Sequence, residues 1–288
     1  MRLAHLILVH NNPAQLERLL KKMIYSCSDV YIHIDKKTDL AQFEYLKSYP
    51  NTYFIQNRTS VRWGNYSMVD ATLKSMEEIL ETQRAYTHIN LLSGQDYLLK
   101  RIDEIEAFYF SNSDKSYMAY LSINEEWQDA KKRLIKYNIG DLSIPFNFWV
   151  QLIVNAVLPK RKTPSDLEPY GRSQWVTITP VCIKYVLDYL KENQEAYRFF
   201  KWTWAVDEII FQTILLNSPL KETIVNENKR YIKFENNELN PKILKSSDAE
   251  NLLNSNKFFA RKFSLQEDSQ ILDILDNTLE LKQQTQHQ

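Results

Sequence analysis

Residues 3–35, LAHLILVHNNPAQLERLLKKMIYSCSDVYIHID, combine two short apolar runs with a helical pattern between them. The runs LAHLILV at 3–9 and VYIHID at 30–35 have the length and composition of buried strands. Between them, the apolar residues at helical spacing are Leu16, Leu19, Leu20, Met23 and Ile24. A strand–helix–strand unit predicts parallel strands, so the loops that follow the strands should gather at one edge of the sheet.

The same alternation continues along the chain. Further predicted strands are TYFIQN at 52–57, THINLLSG at 87–94 and GRSQWVTIT at 171–179. One predicted helix contains Val69, Leu73, Met76 and Leu80, and another begins at Pro180. The pattern predicts an α/β fold in which helices flank a mostly parallel central sheet. The sequence has no GxGxxG or GxxxxGK[ST] motif, which argues against dinucleotide-binding and P-loop proteins.

The length of the chain allows one large α/β domain or two small ones. The chain has 288 residues, with 36 basic and 36 acidic side chains, so electrostatics does not support binding to nucleic acid. Because no repeat or linker is evident, we predict a single domain over 1–288. Its core covers about 3–263, and a C-terminal helix and tail cover 264–288.

No segment resembles a membrane span or a secretory signal. The first apolar run is too short and has no cleavage site, and no window reaches about 18 apolar residues. Cys27 and Cys182 lie far apart in apolar stretches, as is typical of reduced packing residues. These features predict a cytoplasmic protein.

One apolar stretch, PFNFWVQLIVNAVLP at 145–159, has two interpretations. It lies between the basic triplets at 131–133 and 160–162. The first interpretation is a helix packed on the core. The alternative is a surface element that enters the cytoplasmic leaflet, with its basic flanks attracted to anionic lipid.

Three polar motifs end or follow predicted strands. They are Asp35, the Arg62-Trp63-Gly64 segment, and GQDY at 94–97. Each motif alone also suits an ordinary turn or a helix start. Together at one edge they supply a carboxylate, an aromatic face and backbone donors, which favours a nucleotide-sugar pocket.

An acidic pair interrupts the apolar and aromatic run KWTWAVDEIIFQTILL at 201–216. A buried, unpaired carboxylate is costly, so Asp207 and Glu208 are expected to be used chemically or satisfied structurally. The structural alternative is that the pair caps a helix beginning near Val206.

The sequence has no metal-binding signature. No Asp-any-Asp triplet follows a central strand, and no His, Cys, Asp or Glu cluster has the spacing of metal ligands. If a diphosphate leaves this site, fixed cations must stabilise its charge. Arg230 in KRYIKF and Lys262 in FARKF are candidates for that role.

Eight blocks over about 3–263 carry a family resemblance; they are AHLILVHNNPAQLERLL, YIHIDKK, RWGNYSMVDATL, HINLLSGQDYLL, GRSQWVTIT, AVDEIIFQTIL, NKRYIKF and FFARKF. In order and spacing they resemble the core-2/I-branching glycosyltransferases, which are the β-1,6-N-acetylglucosaminyltransferases and their peptide O-xylosyltransferase relatives. The resemblance is to a compact form of bacterial type, for which we do not expect the cysteine-rich, membrane-anchored stem of animal Golgi members. The resemblance implies a GT-A-type fold, a UDP-sugar donor, inversion at the anomeric carbon, and no divalent metal or other cofactor.

The resemblance also implies roles for individual residues. Glu208 matches the catalytic base, Asp207 would cap or orient its loop, and Arg230 and Lys262 match the two diphosphate-binding cations. The residues expected at the uridine end of the donor site, with Trp63 near the nucleotide, are Val9, His10, Asn11, Asp35, Lys36, Lys37 and Trp63.

The chain departs from the family pattern in two places. GRS at 171–173 replaces the usual Gly-Gly-Ser or Ser-Gly-Ser, which puts Arg172 near the sugar pocket. Ala205-Val206 stands where Ser-Pro often precedes the acidic pair.

The resemblance therefore predicts transfer of a sugar, GlcNAc as the first choice, from UDP to a hydroxyl of a glycan or lipid-linked glycan. The expected setting is cell-surface polysaccharide synthesis, with peripheral contact at the inner face of the membrane. Two alternatives stay open. One is a transferase of the same fold with another donor, such as UDP-xylose. The other is a non-catalytic protein that binds sugar nucleotides.

Overall fold

A computed structural model describes residues 1–23, 26–235 and 240–285. Its strands are β1 (Arg2–Val9), β2 (Ser28–Ile34), β3 (Thr52–Phe54), β4 (Tyr86–Ser93), β5 (Asp96–Leu98), β6 (Ser116–Ser122), β7 (Tyr170–Ile178), β8 (Ile224–Asn226), β9 (Arg230–Ile232) and β10 (Phe259–Arg261). Its helices are α1 (Pro13–Lys21), α2 (Tyr66–Glu81), α3 (Ile102–Ser111), α4 (Lys131–Ile135), α5 (Asn147–Val157), α6 (Pro180–Glu192), α7 (Gln194–Lys201), α8 (Ile210–Leu216), α9 (Ala249–Leu253) and α10 (Gln270–Thr285). Ile24, which the helical spacing included, lies outside the described residues.

The central sheet has the strand order β3-β2-β1-β4-β7-β6-β8. β1 pairs in parallel with β2 and β4, β2 pairs in parallel with β3, and β6 pairs in parallel with β8. β7 is antiparallel to both β4 and β6. The prediction of an α/β fold with a mostly parallel central sheet is therefore confirmed.

Helices cover both faces of the sheet because apolar side chains of β1 alternate between them. Leu6 belongs to the core cluster that includes side chains of α2, α6 and α8. Leu3 and Ile7 belong to the cluster on the other face, with side chains of α1, α3 and α10. With both faces covered, the ends of the strands are the places left for binding a ligand.

The carboxyl ends of β1, β2 and β4 meet at one edge of the sheet, as predicted. The N–H of Asp35 donates to the carbonyl of Val9 at 2.8 Å, and the N–H of Gly94 donates to the carbonyl of Leu8 at 3.1 Å. A Cβ atom on Gly94 would lie 2.8 Å from Cγ1 of Val9, so only glycine allows this close approach.

A small sheet, β5-β10-β9, brings the C-terminal part of the chain to the same edge. Arg261 in β10 pairs with Asp96 of β5 and with Ile232 of β9. The N–H of Phe263 donates to the carbonyl of Gln95, in the turn after β4, at 2.9 Å. This topology explains how cationic residues distant in sequence reach the ends of the central strands.

Helix α5 contradicts the prediction that residues 145–159 pack on the core. None of its residues is buried, and Phe148, Trp149 and Ile153 are largely exposed. The stretch is a surface helix, as the alternative interpretation held, and its contact with lipid stays a prediction. Among the described helices, none combines the length and apolar content needed to cross a bilayer.

Candidate active site

An open cavity of about 490 Å³ lies where β1, β2 and β4 end. Loops after these strands line it together with β7, the turn before α8 and the small sheet. Of the residues predicted for the site, those that line the cavity are Val9, His10, Asp35, Trp63, Glu208, Arg230 and Lys262. Asn11, Lys36 and Lys37 are exposed and do not line it.

Asp35 is buried at the cavity and holds a neighbouring loop against the strand ends. Its Oδ1 atom accepts the backbone N–H of Lys37 at 2.8 Å, and its Oδ2 atom accepts that of Val61 at 3.2 Å. The Nζ atom of Lys37 donates to the carbonyl of Val61 at 2.6 Å. Each carboxylate oxygen keeps a free lone pair, so Asp35 can still accept a hydrogen bond from a ligand.

Trp63 presents an exposed ring at the cavity, and its position depends on Gly64. The ring meets that of Trp204 edge to face, with centroids 6.0 Å apart. Gly64 has φ 70°, and a Cβ atom there would lie 2.8 Å from Nε1 of Trp204. The carbonyl of Gly64 accepts the N–H of Ala205 at 2.7 Å, which joins this turn to the loop that carries the acidic pair.

Glu208 lies in a 3-10 turn, Val206–Glu208, and is paired with an arginine that sequence reasoning missed. Nη1 of Arg133 donates to Oε2 of Glu208 at 2.6 Å. The guanidinium carbon of Arg133 lies 4.7 Å from the ring centroid of Trp127 and 4.9 Å from that of Trp204. Two indole rings and an ion pair therefore fix the direction of the Glu208 carboxylate.

Gly171 allows β7 to pack against the turn that carries Glu208. A Cβ atom on Gly171 would lie 2.6 Å from the carbonyl oxygen of Glu208. The next residue, Arg172, lines the cavity, and its guanidinium carbon is 5.8 Å from the ring centroid of Trp127. The arginine that departs from the family pattern thus lies at the cavity wall, and its effect on the sugar stays a prediction.

Asp207 also lines the cavity, and its carboxylate is poorly satisfied. Its Oδ1 atom is shielded from solvent and has no hydrogen-bond partner. Burial of the carboxylate, assisted by the negative charge of Glu208, raises the pKa of Asp207 to about 7. Neither the 3-10 turn nor α8 has a side-chain cap, so the interpretation of this pair as a helix cap is wrong.

We expect Asp207→Asn to increase the free energy of unfolding by roughly 2 kcal/mol above neutral pH, after allowing for partial solvent exposure. Folding raises the pKa of this carboxyl, so the folded state favours the protonated form. The stability of the wild type therefore falls as pH rises from 3.8 to about 7.

Urea unfolding on either side of this pH range measures the effect. The gain should be large above about pH 7 and vanish below pH 3.8. Asp129→Asn, which changes an exposed carboxylate, is the matched control. Equal stability of Asp207→Asn and wild type above neutral pH would contradict the assignment.

Arg230 is buried and ties three segments of the chain together. Its terminal nitrogens donate to the carbonyls of Leu91 at 2.9 Å and Val176 at 3.3 Å, and to Oγ1 of Thr177 at 3.2 Å. They also donate to Oδ1 of Asn90 and to the carbonyl of Asn228. Only Nε has no partner, so most of the hydrogen-bonding capacity of Arg230 serves the fold.

A buried polar chain fixes Arg230 from behind. Asn90 uses its oxygen for Arg230, and its amide nitrogen lies 2.9 Å from Nδ1 of His5. Burial and the charge of Arg230 lower the pKa of His5 to about 3. The imidazole is therefore neutral at ordinary pH, and Nδ1 can accept the proton of the Asn90 amide.

Two adjacent cations from β10 and the following residue also line the cavity. Lys262 is half-buried, and within the described part of the chain its ammonium group has no polar partner. The guanidinium carbon of Arg261 stacks 3.9 Å from the ring centroid of Trp175, and its Nε atom is 3.5 Å from Oδ1 of Asp96. Sequence reasoning missed Arg261, although it is next to Lys262.

The described residues include no group of three or more His, Cys, Asp or Glu side chains that could hold a metal ion. The cationic residues Arg230, Arg261 and Lys262 and the acidic pair instead line one cavity. Such a site can bind an anionic group beside a carboxylate that accepts a proton. That the reaction needs no divalent metal stays a prediction.

Comparisons with known proteins identify the family. Residues 3–255 match the model of the Core-2/I-Branching enzyme family, and the chain therefore belongs to that family. Xylosyltransferase 2 of Rattus norvegicus is 27% identical over 302 residues, which cover 96% of this chain and 33% of that protein. Xylosyltransferase 2 of Homo sapiens is 28% identical over the same coverage. The chain thus spans about a third of the length of these relatives.

A more distant relative and a solved structure are also similar. Xylosyltransferase oxt of Drosophila pseudoobscura pseudoobscura is 24% identical over 79% of this chain and 26% of that protein. The crystal structure of mouse Xyloside xylosyltransferase 1 aligns over 77% of this chain and 84% of that chain, with 11% identity and a TM-score of 0.39. Family membership agrees with the GT-A-type fold that the resemblance implied.

Proposed function

We propose that this protein is an inverting glycosyltransferase that moves a sugar from a UDP-sugar to a hydroxyl group of a glycan acceptor. One observation carries the proposal: Glu208 lines the same cavity as Arg230, Arg261 and Lys262. A transferase needs such a combination, because it must deprotonate an incoming alcohol and stabilise a departing diphosphate. Membership of the Core-2/I-Branching enzyme family supports it.

In the proposed mechanism, Glu208 takes the proton of the acceptor hydroxyl while the oxygen of that hydroxyl forms a bond to the anomeric carbon. The bond between that carbon and the diphosphate breaks, and its electron pair leaves with UDP. Displacement from the opposite side inverts the configuration. Arg133 positions the base, since its guanidinium is held between Trp127 and Trp204.

The cations would perform the work that a metal performs in other transferases. Lys262 has no competing polar partner among the described residues, so its ammonium group can turn toward a diphosphate. Arg261 is held by stacking on Trp175, and its one ionic contact among the described residues is the long one with Asp96, so its remaining guanidinium N–H groups can donate to a diphosphate from a fixed position. Arg230 contributes positive charge from a fixed position, because its terminal nitrogens are engaged by the protein.

The donor sugar has two candidates. UDP-GlcNAc is the prediction from the sequence resemblance. UDP-xylose is the second candidate, and the names of the similar proteins from rat and human favour it. Arg172 lies at the cavity wall where the family has a small residue, so it is the side chain we expect to influence this choice.

A UDP-release assay with UDP-GlcNAc, UDP-xylose and UDP-galactose tests the proposal. We expect one donor to be turned over, with a rate that EDTA leaves unchanged, because fixed cations replace the metal. A strict requirement for Mn²⁺ would contradict metal independence. Binding of UDP-sugars without hydrolysis or transfer would favour the non-catalytic alternative.

The acceptor and the location belong to the same proposal. We propose a glycan or lipid-linked glycan acceptor, a role in cell-surface polysaccharide synthesis, and a cytoplasmic site of action at the inner face of the membrane. The exposed helix α5 motivates the membrane contact, because none of its residues is buried.

A further inference from the structure

Helix α5 has its polar side turned toward the protein and its apolar side turned outward. Asn147, Gln151 and Asn155 follow one another at four-residue intervals and therefore share one face of the helix. The apolar surface on the other side consists of Phe146, Phe148, Trp149, Leu152, Ile153 and Val157, all of them exposed. This is the reverse of the arrangement expected for a helix on a water-exposed surface.

The three amide side chains anchor the helix to the main chain of residues 137–142. Asn155 accepts the N–H of Tyr137 at 2.7 Å and donates to its carbonyl at 2.8 Å. Gln151 accepts the N–H of Ile139 at 2.9 Å. Asn147 donates to the carbonyls of Ile139 at 3.1 Å and Leu142 at 2.8 Å. These bonds fix the rotation of the helix, so the apolar side cannot turn inward.

A basic rim lies at the C-terminal end of the apolar surface. Lys136, Lys160 and Lys162 are exposed, and the N–H of Arg161 donates to the carbonyl of Ile135 at 3.1 Å, which brings the two segments together. The sequence has no acidic residue from 142 to 165. Because the whole chain has balanced charge, this local excess of lysine is a specific feature.

We propose that the apolar surface docks on a bilayer that carries anionic lipid headgroups. Exposed aromatic and aliphatic side chains beside lysines are the features of helices that lie in a membrane interface. The α5 helix has 11 residues, which suits an interfacial position and is too short to span a bilayer. This contact depends on neither the donor nor the catalytic step proposed above.

Docking would place the membrane beside the mouth of the cavity. Arg62 donates to the carbonyl of Gly140 at 2.8 Å and to Oγ of Ser143 at 2.6 Å, in the segment that leads into α5. The next residue, Trp63, lines the cavity. If the proposed function holds, an acceptor with a lipid anchor is the class that this position favours.

Sedimentation with vesicles tests the docking. We expect wild type to bind vesicles of phosphatidylcholine and phosphatidylglycerol, and to bind pure phosphatidylcholine roughly ten-fold more weakly. Phe148→Ser/Trp149→Ser/Ile153→Ser should lose roughly ten-fold or more of the binding. Ile153→Ser and Val181→Ser are a matched pair of single variants, since these side chains are 61% and 64% exposed and only Ile153 lies on α5. Ile153→Ser should weaken vesicle binding, and Val181→Ser should leave it unchanged.

Fluorescence provides a second measurement. Brominated acyl chains should quench the emission of wild type, a result that needs no variant, and the conservative substitution Trp149→Phe should remove most of the quenching. Failure of wild type to sediment, or equal binding by the triple variant, would overturn the proposal. A dimer that the triple variant makes monomeric, without vesicle binding, would assign the surface to a second copy and would also overturn it.

Discussion

Glu208→Gln should lower turnover about 10²–10⁴-fold, which is the usual contribution of a general base. Glutamine preserves the size of the side chain and can still accept the hydrogen bond from Arg133, but it cannot take a proton at neutral pH. The affinity for UDP should stay within about three-fold, because the diphosphate is expected to contact the cations of the small sheet.

Steady-state rates with the active donor and calorimetric titration with UDP separate the two effects. Glu125→Gln, which changes an exposed carboxylate, is the control for a general effect of removing negative charge. If turnover by Glu208→Gln equals that of wild type, Glu208 is not the base. If UDP affinity and turnover fall together with the unfolding midpoint, the variant has lost structure and Glu208→Asp replaces it in the test.

Lys262→Ala should weaken UDP binding about 10–100-fold, the equivalent of losing one or two charge-assisted hydrogen bonds. Its ammonium group has no polar partner among the described residues, so its loss should leave the free energy of unfolding almost unchanged. Titration with UDP and urea unfolding are the two measurements. Lys221→Ala, at an exposed lysine elsewhere, is the matched control.

Arg230→Ala should behave differently although the same role was predicted for both cations. It would leave the carbonyls of Leu91 and Val176 and the Asn90 amide without their buried donor. We therefore expect it to lower the free energy of unfolding by about 3–5 kcal/mol. Wild-type UDP affinity in a folded Lys262→Ala variant would contradict the assignment of Lys262 to the diphosphate.

The fold was predictable where burial and chain order act together. The apolar runs of β1, β2 and β4, with helices between them, predict parallel strands that end at one edge, and the structure has that arrangement. Of the two interpretations of residues 145–159, the one that took the apolar content of α5 as a sign of burial is wrong. The better signal was the spacing of Asn147, Gln151 and Asn155, whose amides bond inward to the main chain.

The candidate site was predictable only in part, because many of its contacts join distant segments. The residue pattern singled out Glu208, Arg230 and Lys262, the family resemblance implied their roles, and these residues line one cavity. Arg133 was missed because it lies 75 positions from Glu208 in the sequence, and no local pattern predicts a contact over that separation. The resemblance also implied that Lys36 and Lys37 line the donor site, but their side chains are exposed outside the cavity.

The amide anchors of α5 separate two requirements that a sequence usually meets with the same residues. One is the attachment of the helix to the fold, and the other is the chemistry of its outer side. Since Asn147, Gln151 and Asn155 hold the helix by hydrogen bonds to main-chain atoms, substitutions on its outer side should cost the fold little. Substitutions on that side can then change what the protein docks on, while the fold around the cavity stays intact. Among homologues, the three amides should persist across habitats in which the outer positions diverge.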